Sequence, residues 1–327
     1  MNIVYVANEA YVSILGTSLY SLYENNKTEA LLDVYLIQTG ISEKSIKLLK
    51  SLADSFARSI SIINFEDIKQ RKELDFLENK FDISVMARLF VDELLPKHLD
   101  RVLYIDCDTL VLRSVHKLFY MELGDKTIAA VPEPTINLMV KEKIGIALSQ
   151  MYFNSGVLLI DLNKYREKKF RQRVLAYYDN IKESSVFSDQ DAINGALCHH
   201  IKVLSPRYNF FANYRYWSYE ALIKYSPSYR IIPRRVYESA KKNPVILHFA
   251  GDERPWYEGN FNPYRKLYKS YQSKTPWKGK KAKSKSRLYL GLYHIMNVMT
   301  LLCPKLRIKI SDEYIKRMFN DNKLWIQ

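Results

Sequence analysis

Cysteine is scarce in this sequence. Its three cysteines, Cys107, Cys198 and Cys303, are too few and too scattered for a disulfide framework or a zinc site. This usage fits a reducing compartment, and we therefore expect a cytoplasmic protein. No Gly-x-Gly-x-x-Gly pattern follows the first apolar stretch, which argues against a dinucleotide-dependent oxidoreductase.

We expect neither a targeting segment nor a membrane-spanning segment. Residues 3–7 already predict a strand and no cleavage site follows them, so we expect no signal peptide. The apolar run at residues 288–303 is shorter than the roughly twenty residues that a spanning helix needs. There are no repeats, and 327 residues are enough to bury a full core in one large domain or two.

Acidic residues are absent from a long stretch near the C-terminus. Residues 259–311 hold thirteen Lys or Arg and no Asp or Glu, in a chain whose net charge is +15. Residues 1–258 hold 34 basic and 32 acidic side chains and are therefore almost neutral. We expect a catalytic domain at residues 1–258 and a basic interaction segment at residues 259–327.

Strands and helices alternate along the first part of the chain. The pattern predicts strands at residues 2–7, 33–38 and 59–64 and helices at 11–23 and 42–52. It predicts later helices at 84–95, 165–182 and 288–303, and strands at 102–105, 127–131 and 245–249. The expected fold class is α/β, with a Rossmann-like mixed central sheet flanked by helices and a mainly helical, basic C-terminal extension.

The strongest candidate site lies in residues 102–112, VLYIDCDTLVL. Asp106 and Asp108 follow a predicted buried strand at its carboxyl end. Residues two apart on a strand point to the same side, and ligands of open α/β sheets bind beyond these strand ends. Two carboxylates there favour a divalent cation that carries a diphosphate. The alternative is a polar turn whose aspartates cap backbone amides.

Other candidate residues also have structural interpretations. Arg88 fits an ordinary surface arginine, and Ser188 or Asp189 fits the N-cap of a helix. His248 fits a hydrogen-bonded core histidine as well as a ligand. Gly156 permits either a close backbone approach or a positive φ. The aromatic residues of 208–219 fit sugar stacking, but half-buried packing is commoner.

An ordered set of motifs resembles one enzyme family. The motifs are VYVANEAY, MARL, LYIDCDTLV, YFNSGVLLIDL, SDQDAIN and HFAG-x-x-RPW, and they lie within residues 1–258. This region resembles glycosyltransferase family 8 with the GT-A fold, particularly bacterial lipopolysaccharide and capsule α-galactosyltransferases and the glycogenin superfamily.

The resemblance implies a metal site and a donor site. Asp106, Asp108 and His248 would hold Mn²⁺, with Mg²⁺ as the alternative, because mixed oxygen and imidazole ligands suit Mn²⁺ better. The catalytic residues implied are Gln190 and Asp189. The further donor-binding residues implied are Ala7, Asn8, Glu9, Arg88, Cys107, Glu133, Asn154, Ser155, Gly251 and Arg254.

Three positions depart from the family pattern. Glu9 and Glu133 stand where Asp is common, and Arg254 stands where Lys is common. Arginine keeps the charge of lysine but changes the hydrogen-bond geometry. The added methylene in each glutamate moves a carboxylate, so the choice of donor sugar is the property most open to change.

The implied reaction transfers a hexose with retention from a UDP-sugar to a glycan or lipid-linked saccharide acceptor. Galactose is favoured and glucose comes next. Retention through a covalent intermediate needs a carboxylate nucleophile, and Gln190 is a poor one, so the resemblance implies front-face attack by the acceptor hydroxyl.

Two unrelated functions fit parts of the sequence less well. A haloacid-dehalogenase-like phosphatase would place its Asp-x-Asp-x-Thr pattern after the first strand, whereas here about a hundred residues precede it. A nucleic-acid-binding protein would explain the basic tail but needs no metal-binding residues. We therefore expect no nucleic-acid partner.

The C-terminal segment combines lysines with an apolar helix. Residues 274–287 are lysine-rich, and residues 288–303 place Leu288, Leu292 and Ile295 mainly on one side. This pattern predicts a helix lying in an anionic membrane interface, so that the protein is peripheral on the cytoplasmic face. The alternative is a helix that packs on the enzyme body or forms an oligomer contact.

Overall fold

The computed structural model describes residues 1–71, 83–282 and 286–320. Its strands are β1 (Asn2–Ala7), β2 (Asp33–Gln38), β3 (Ile60–Asn64), β4 (Arg101–Ile105), β5 (Thr109–Val111), β6 (Ile128–Ala130), β7 (Val157–Asp161), β8 (Ile201–Val203), β9 (Phe210–Phe211) and β10 (Ile246–His248). Its α-helices are α1 (Val12–Glu24), α2 (Glu43–Asp54), α3 (Glu66–Lys69), α4 (Val91–Leu94), α5 (His116–Phe119), α6 (Leu138–Lys143), α7 (Leu162–Glu167), α8 (Phe170–Ile181), α9 (Ser188–Leu197), α10 (Tyr219–Tyr225), α11 (Arg234–Lys242), α12 (Arg265–Gln272), α13 (Arg287–Met299) and α14 (Pro304–Asn320).

A seven-stranded sheet in the order β3-β2-β1-β4-β7-β6-β8 forms the centre of the protein. Strands β3, β2, β1 and β4 are parallel, while β7 is antiparallel to both β4 and β6. Two apolar clusters cover the faces of this sheet, and β1 and β4 contribute buried residues to both. The expected Rossmann-like mixed sheet flanked by helices is confirmed.

A second, three-stranded sheet joins distant parts of the chain in the order β5-β10-β9. Strand β10 is antiparallel to β5, with His248 opposite Thr109, and parallel to β9. No pattern in the sequence predicted this sheet. Its register places residue 248 beside the turn that follows β4.

Two expected helices differ from the structure. Residues 165–182 contain a break at Lys169, whose φ is 50°, so that α7 and α8 are separate helices. The break lets Tyr165 and Phe170 both enter the core, where their rings meet edge to face with 5.8 Å between the ring centroids. Residues 84–95 form a 3₁₀ helix (Ile83–Phe90) followed by the short α4 rather than one α-helix.

The aromatic residues of 208–219 belong to the core. Phe210, Phe211, Tyr214 and Trp217 are buried in one apolar cluster behind the small sheet. Of the two interpretations of this stretch, packing is therefore confirmed. The same cluster includes Tyr268 of α12, so part of the basic C-terminal segment packs on the catalytic body.

Helix α13 faces the body mainly with its polar side, together with one leucine. Leu290, Asn297 and Thr300 are buried, whereas Leu288 and Leu292 are 74% and 58% exposed. Within the described residues, no helix combines the length and the apolar character that crossing a membrane requires.

Candidate active site

Three potential metal ligands converge beyond the carboxyl end of β4. Ligand atoms of Asp106, Asp108 and His248, here called the metal-ligand cluster, all lie within 4.8 Å of one another. The two aspartates follow β4 directly, and the pairing of β10 with β5 brings in the histidine. Two carboxylate oxygens and one imidazole nitrogen form a donor set that suits Mn²⁺ and similar divalent ions.

Asp108 and His248 are in direct contact, with 3.1 Å between Oδ1 and Nε2. Burial opposes the charge on the carboxyl, but His248 outweighs it and lowers the pKa of Asp108. Burial likewise opposes the charge on the imidazole, yet Asp108 raises the pKa of His248. Nδ1 of His248 lies 2.8 Å from Oδ1 of Asn209. This contact fixes the orientation of the ring, as the outer partners of metal-bound histidines do.

Gly156 makes room for this cluster. A Cβ on Gly156 would lie 2.5 Å from Cε1 of His248, 2.8 Å from Oδ2 of Asp106 and 3.0 Å from Oδ1 of Asn154. The backbone of Gly156 also anchors the cluster, because its carbonyl accepts a 2.8 Å hydrogen bond from the amide of Asp106. Of the two roles expected for this glycine, the close approach is the correct one.

Arg88 is a buried link between two carboxylates, not a surface arginine. Its guanidinium lies 3.1 Å from Oδ1 of Asp106 and 3.2 Å from Oδ2 of Asp189. It also donates to the Ser155 carbonyl at 2.9 Å and stacks over the Tyr104 ring at 4.6 Å. Burial lowers the pKa of Arg88, but the two carboxylates outweigh burial and raise it. Arg88 therefore stays charged and orients both acids.

Gln190, Asn154 and Glu133 form one hydrogen-bonded network. The Asn154 amide donates to Oε1 of Gln190 at 2.7 Å and to Oε2 of Glu133 at 3.0 Å. The Gln190 amide donates to Oε2 of Glu133 at 3.2 Å and to the Tyr152 hydroxyl at 3.2 Å. Burial raises the pKa of Glu133, and the bond from Asn154 partly offsets it. The network presents amides and carboxyls beside the metal-ligand cluster.

Asn154 joins the metal-ligand cluster to the hydrogen-bonded network of Gln190. Its Oδ1 accepts from the Gly156 amide at 2.9 Å and from Nδ2 of Asn209 at 2.7 Å. Asn209 in turn contacts His248. A continuous chain of hydrogen bonds thus runs from His248 through Asn209 and Asn154 to Gln190.

The start of α9 is organised by Asp191 rather than by a capping Ser188 or Asp189. The N-cap is Phe187, which has no side-chain capping bond, and Ser188 has a φ of 37°. Oδ2 of Asp191 accepts from the backbone amides of residues 186 and 187 at 2.9 and 2.8 Å. Asp189 is therefore free of a capping role and faces Arg88, and burial raises its pKa to about 6.

The N-terminal candidates lie at the end of β1, beside β4. Ala7 is the last residue of β1 and Asn8 follows it. Both carboxylate oxygens of Glu9 are taken by α2: they accept from the Ser42 amide at 2.9 Å and from the Ser45 hydroxyl at 2.8 Å. The structure thus gives Glu9 a helix-anchoring contact in addition to its expected donor role.

Cys107 separates the two aspartates but its thiol points away from them. The Sγ atom donates to the Val6 carbonyl at 3.0 Å, and the residue is buried in the core. The structure does not bring this side chain to the site, so any contact with a donor would come from the backbone of Cys107.

Gly251 and Arg254 lie on the loop that follows β10. Gly251 has a φ of 89°, which favours glycine. The Arg254 guanidinium donates to the Tyr11 hydroxyl at 2.9 Å and, through Nε, to the Gly251 carbonyl at 3.0 Å. Burial lowers the pKa of Arg254, but Asp108 and Tyr11 outweigh it and raise the pKa. Arg254 therefore stays positively charged near Asp108 of the metal-ligand cluster.

Sequence reasoning missed the residues that hold the site in place. Asn209, Tyr104, Tyr152 and Tyr11 orient His248, Asp106, Gln190 and Arg254, respectively. The role of Tyr104 could have been predicted, because it lies two residues before Asp106 and therefore points to the same side of the sheet. Asn209 offered none beyond being a polar residue within an aromatic stretch.

Comparison with known proteins identifies the family and the fold. The family described as Glycosyl transferase family 8 matches residues 2–259. General stress protein A of Bacillus subtilis is 29% identical over 85% of this chain and 94% of its own length. A lipopolysaccharide 1,2-glucosyltransferase of Escherichia coli K12 is 26% identical over 85% of this chain and 79% of its own. The galactosyltransferase LgtC, solved with donor and acceptor sugar analogues, aligns with a TM-score of 0.70 at 23% identity, covering 84% of this chain and 96% of LgtC.

The class of protein is therefore that of GT-A-fold glycosyltransferases. The chain belongs to glycosyl transferase family 8, and the resemblance found in the motifs is confirmed. Family 8 enzymes of this fold generally use a divalent metal, and the cluster of Asp106, Asp108 and His248 fits that use. Membership in the family displaces the phosphatase alternative.

Proposed function

We propose that this glycosyltransferase is a retaining, metal-dependent hexosyltransferase that uses a UDP-sugar. Galactose is the favoured sugar and glucose the next, and the acceptor is a saccharide, lipid-linked, in bacterial surface polysaccharide or glycoconjugate synthesis. The observation that carries the proposal is the junction of the metal-ligand cluster with the Gln190 network through Asn209 and Asn154. Relatives named as lipopolysaccharide glucosyl- and galactosyltransferases support the two sugars.

Asp106, Asp108 and His248 would hold the metal, Mn²⁺ before Mg²⁺. When bound there, the metal would act as a Lewis acid that neutralises charge on a diphosphate leaving group. Metal binding needs a neutral imidazole and a charged carboxylate, so a proton on His248 would have to leave when the metal binds. Asn209 would keep the imidazole in place during this exchange.

Arg254 would supply positive charge to the leaving group. Its guanidinium bonds to a hydroxyl and a carbonyl and, within the described residues, forms no ion pair with a carboxylate, so its charge remains available to a diphosphate. Arg88 differs, because Asp106 and Asp189 already balance its charge. We assign Arg88 to orienting these acids and Arg254 to the leaving group.

Glu133, Asn154, Asp189 and Gln190 would bind hydroxyls of the transferred sugar. Amide and carboxyl groups that are fixed by mutual hydrogen bonds reject a sugar that leaves one of them unpaired. Ala7 and Asn8 would receive the uracil and ribose. The glutamates at positions 9 and 133 are where donor choice would depart from that of other family members.

Retention would follow from front-face attack. The acceptor hydroxyl oxygen bonds to the anomeric carbon as the bond from that carbon to the phosphate oxygen breaks, and the hydroxyl proton passes to a phosphate oxygen. The side-chain atoms of Gln190 are engaged by Asn154, Glu133 and Tyr152, which suits a residue that orients the sugar rather than one that attacks it.

A screen of UDP-sugars tests the proposal directly. The protein is incubated with UDP-galactose, UDP-glucose and UDP-N-acetylglucosamine, with Mn²⁺, Mg²⁺ or a chelator, and released UDP is measured. We expect the highest release with UDP-galactose and Mn²⁺ and none with the chelator. Equal release with the chelator would contradict the metal assignment, and no release from any UDP-sugar would contradict the donor class.

The C-terminal helices carry the proposal that the protein is peripheral on the cytoplasmic face of a membrane. Apolar side chains of α13 and the following turn are exposed: Leu288, Leu292, Ile295, Val298, Met299, Leu301 and Leu302. Exposed basic residues flank them, including Lys274, Lys280, Arg287 and Lys305, while residues 283–285 of the lysine-rich stretch lie outside the described residues. Apolar and basic groups side by side suit an anionic lipid surface.

A further inference from the structure

Residues 251–254, here called the donor loop, connect the metal-ligand cluster to the C-terminal helix α13. The loop begins three residues after His248 and ends at Arg254, which contacts Tyr11. Its first residue, Gly251, lies under Tyr293 of α13, where a Cβ would approach the tyrosine hydroxyl to 2.9 Å. The start of this loop is therefore packed against α13.

The polar side of α13 contacts each residue of the loop that precedes Arg254. The Tyr289 hydroxyl donates to the Asp252 carboxylate. Nδ1 of His294 lies 2.5 Å from Oε1 of Glu253, and Nδ2 of Asn297 donates to Oε2 of Glu253 at 2.7 Å. Residues 289, 293 and 297 are four apart, so they form one line along the helix.

Glu253 is the central residue of this contact. It is 8% exposed, and both carboxylate oxygens are directed at α13. Its backbone carbonyl accepts from Nδ2 of Asn262, which fixes the peptide that leads to Arg254. A buried carboxylate without donors is costly, so the loop keeps this position only while His294 and Asn297 are in place.

We propose that Glu253 is a positioning residue of the donor site and that His294 and Asn297 of α13 act through it to hold Arg254 over the metal-ligand cluster. The proposal rests on the proposed function, in which Arg254 contacts the diphosphate of a UDP-sugar. It gives the C-terminal helix a second role, because the side that faces the body controls donor binding while the opposite side is exposed.

The test compares full-length variants with a matched control. Glu253→Ala removes the carboxylate, and Glu253→Gln keeps its length and one acceptor. Asn297→Leu removes one donor from α13 and is also combined with Glu253→Ala. Asp312→Ala is the control, because it removes a different contact between the C-terminal helices and the body, the 2.6 Å bond from Nδ2 of Asn137.

Two measurements are made on each variant. The first is the KM and kcat for UDP-galactose with Mn²⁺, and the second is hydrogen–deuterium exchange of the peptide that contains the donor loop. We expect Glu253→Ala and Asn297→Leu to raise KM about tenfold with a smaller change in kcat and to speed exchange of the loop. Glu253→Gln should restore most of the affinity, Asp312→Ala should leave KM unchanged, and the double variant should resemble Glu253→Ala alone.

The outcomes separate the two proposals. Unchanged loop exchange in Glu253→Ala, or equal rises in KM for Glu253→Ala and Asp312→Ala, would overturn the positioning role. If the parent protein releases no UDP from any UDP-sugar, the proposed function fails, and the exchange of the loop still decides whether Glu253 and α13 hold it.

Discussion

His248 and Thr109 are opposite each other in the antiparallel pairing of β10 with β5, although 139 positions separate them in the chain. Asp108 immediately precedes Thr109, so this register fixes the imidazole 3.1 Å from the Asp108 carboxylate. A shift of one residue would turn the His248 side chain to the other face of the small sheet. The candidate metal site therefore depends on strand pairing as much as on its ligands.

Replacing one ligand tests the metal site. Asp108→Asn removes a charge but keeps the shape, and we expect Mn²⁺-dependent UDP release to fall roughly a hundredfold or more because one anionic ligand is lost. Mn²⁺ affinity is measured by calorimetry and the fold by thermal unfolding. Asn209→Ala should weaken Mn²⁺ binding by about ten- to a hundredfold, since it frees the His248 ring. Parent-level Mn²⁺ affinity in Asp108→Asn would exclude this residue as a ligand.

Glycine substitution tests the space around the cluster. Gly156→Ala places a methyl group 2.5 Å from His248 and 2.8 Å from Asp106, so the side chains must move apart. We expect Mn²⁺ affinity and UDP release both to fall at least tenfold, because displacing the groups that position a metal ligand typically costs roughly that much. Gly291→Ala in α13 is the control, because nothing lies within 4 Å of its new Cβ. That variant should keep its activity and gain about 0.5–1 kcal/mol of stability.

Gln190→Ala tests the placement of the sugar. Its amide bridges Glu133, Asn154 and Tyr152, away from the three metal ligands. We expect transfer to slow by roughly a hundredfold, as happens when a preorganised polar group is removed, while UDP and Mn²⁺ still bind. Activity is followed by UDP release, and the anomeric configuration of the product by NMR. A product of inverted configuration from the parent protein would disprove front-face attack.

Asp189 is a candidate catalytic residue, and its ionisation also makes the stability of the protein depend on pH. Burial, the largest influence, raises its pKa from 3.8 to about 6, and Arg88 offsets only part of the rise. Between these pH values the folded state binds more protons than the unfolded state, so the stability contribution of Asp189 falls as the pH rises toward 6. Asparagine resembles the protonated acid and avoids this cost.

We therefore expect Asp189→Asn to have a higher free energy of unfolding than the parent protein at pH 7, by roughly 2–3 kcal/mol, and much lower activity. The difference in stability should shrink as the pH falls to 4. Denaturant unfolding of both proteins at pH 4, 5.5 and 7 measures it. A constant difference across this range would show that Asp189 is not the titrating group.

The exposed side of α13 is tested with vesicles. Leu292→Asn combined with Ile295→Asn removes two apolar groups that are 58% and 54% exposed, and it keeps Tyr289, His294 and Asn297, which bond to the donor loop. We expect sedimentation with phosphatidylglycerol-rich vesicles to be lost and UDP release in solution to be kept. Leu31→Asn, at a side chain 76% exposed on the body, is the control and should still sediment. Equal sedimentation of all three proteins would contradict membrane binding through α13.

The sequence by itself determined the first strands of the central sheet and indicated the family. The apolar runs of β1 and β2 have the predicted bounds, because strands buried on both faces leave a continuous apolar signal. The Asp106 and Asp108 pair and the ordered motifs were sufficient to indicate the family, which the match to residues 2–259 confirms. Each of these features depends on residues that lie close together in the sequence.

Only the tertiary structure decided which side chains hold the site together. Arg88, which fits a surface arginine in sequence, is buried between Asp106 and Asp189, and the helix start at residue 188 is held by Asp191. The small sheet that delivers His248 and the contact of α13 with Glu253 join segments far apart in the chain. Hydrogen bonds and ion pairs of this kind leave no periodic pattern, because their partners are selected by packing in three dimensions rather than by spacing along the chain.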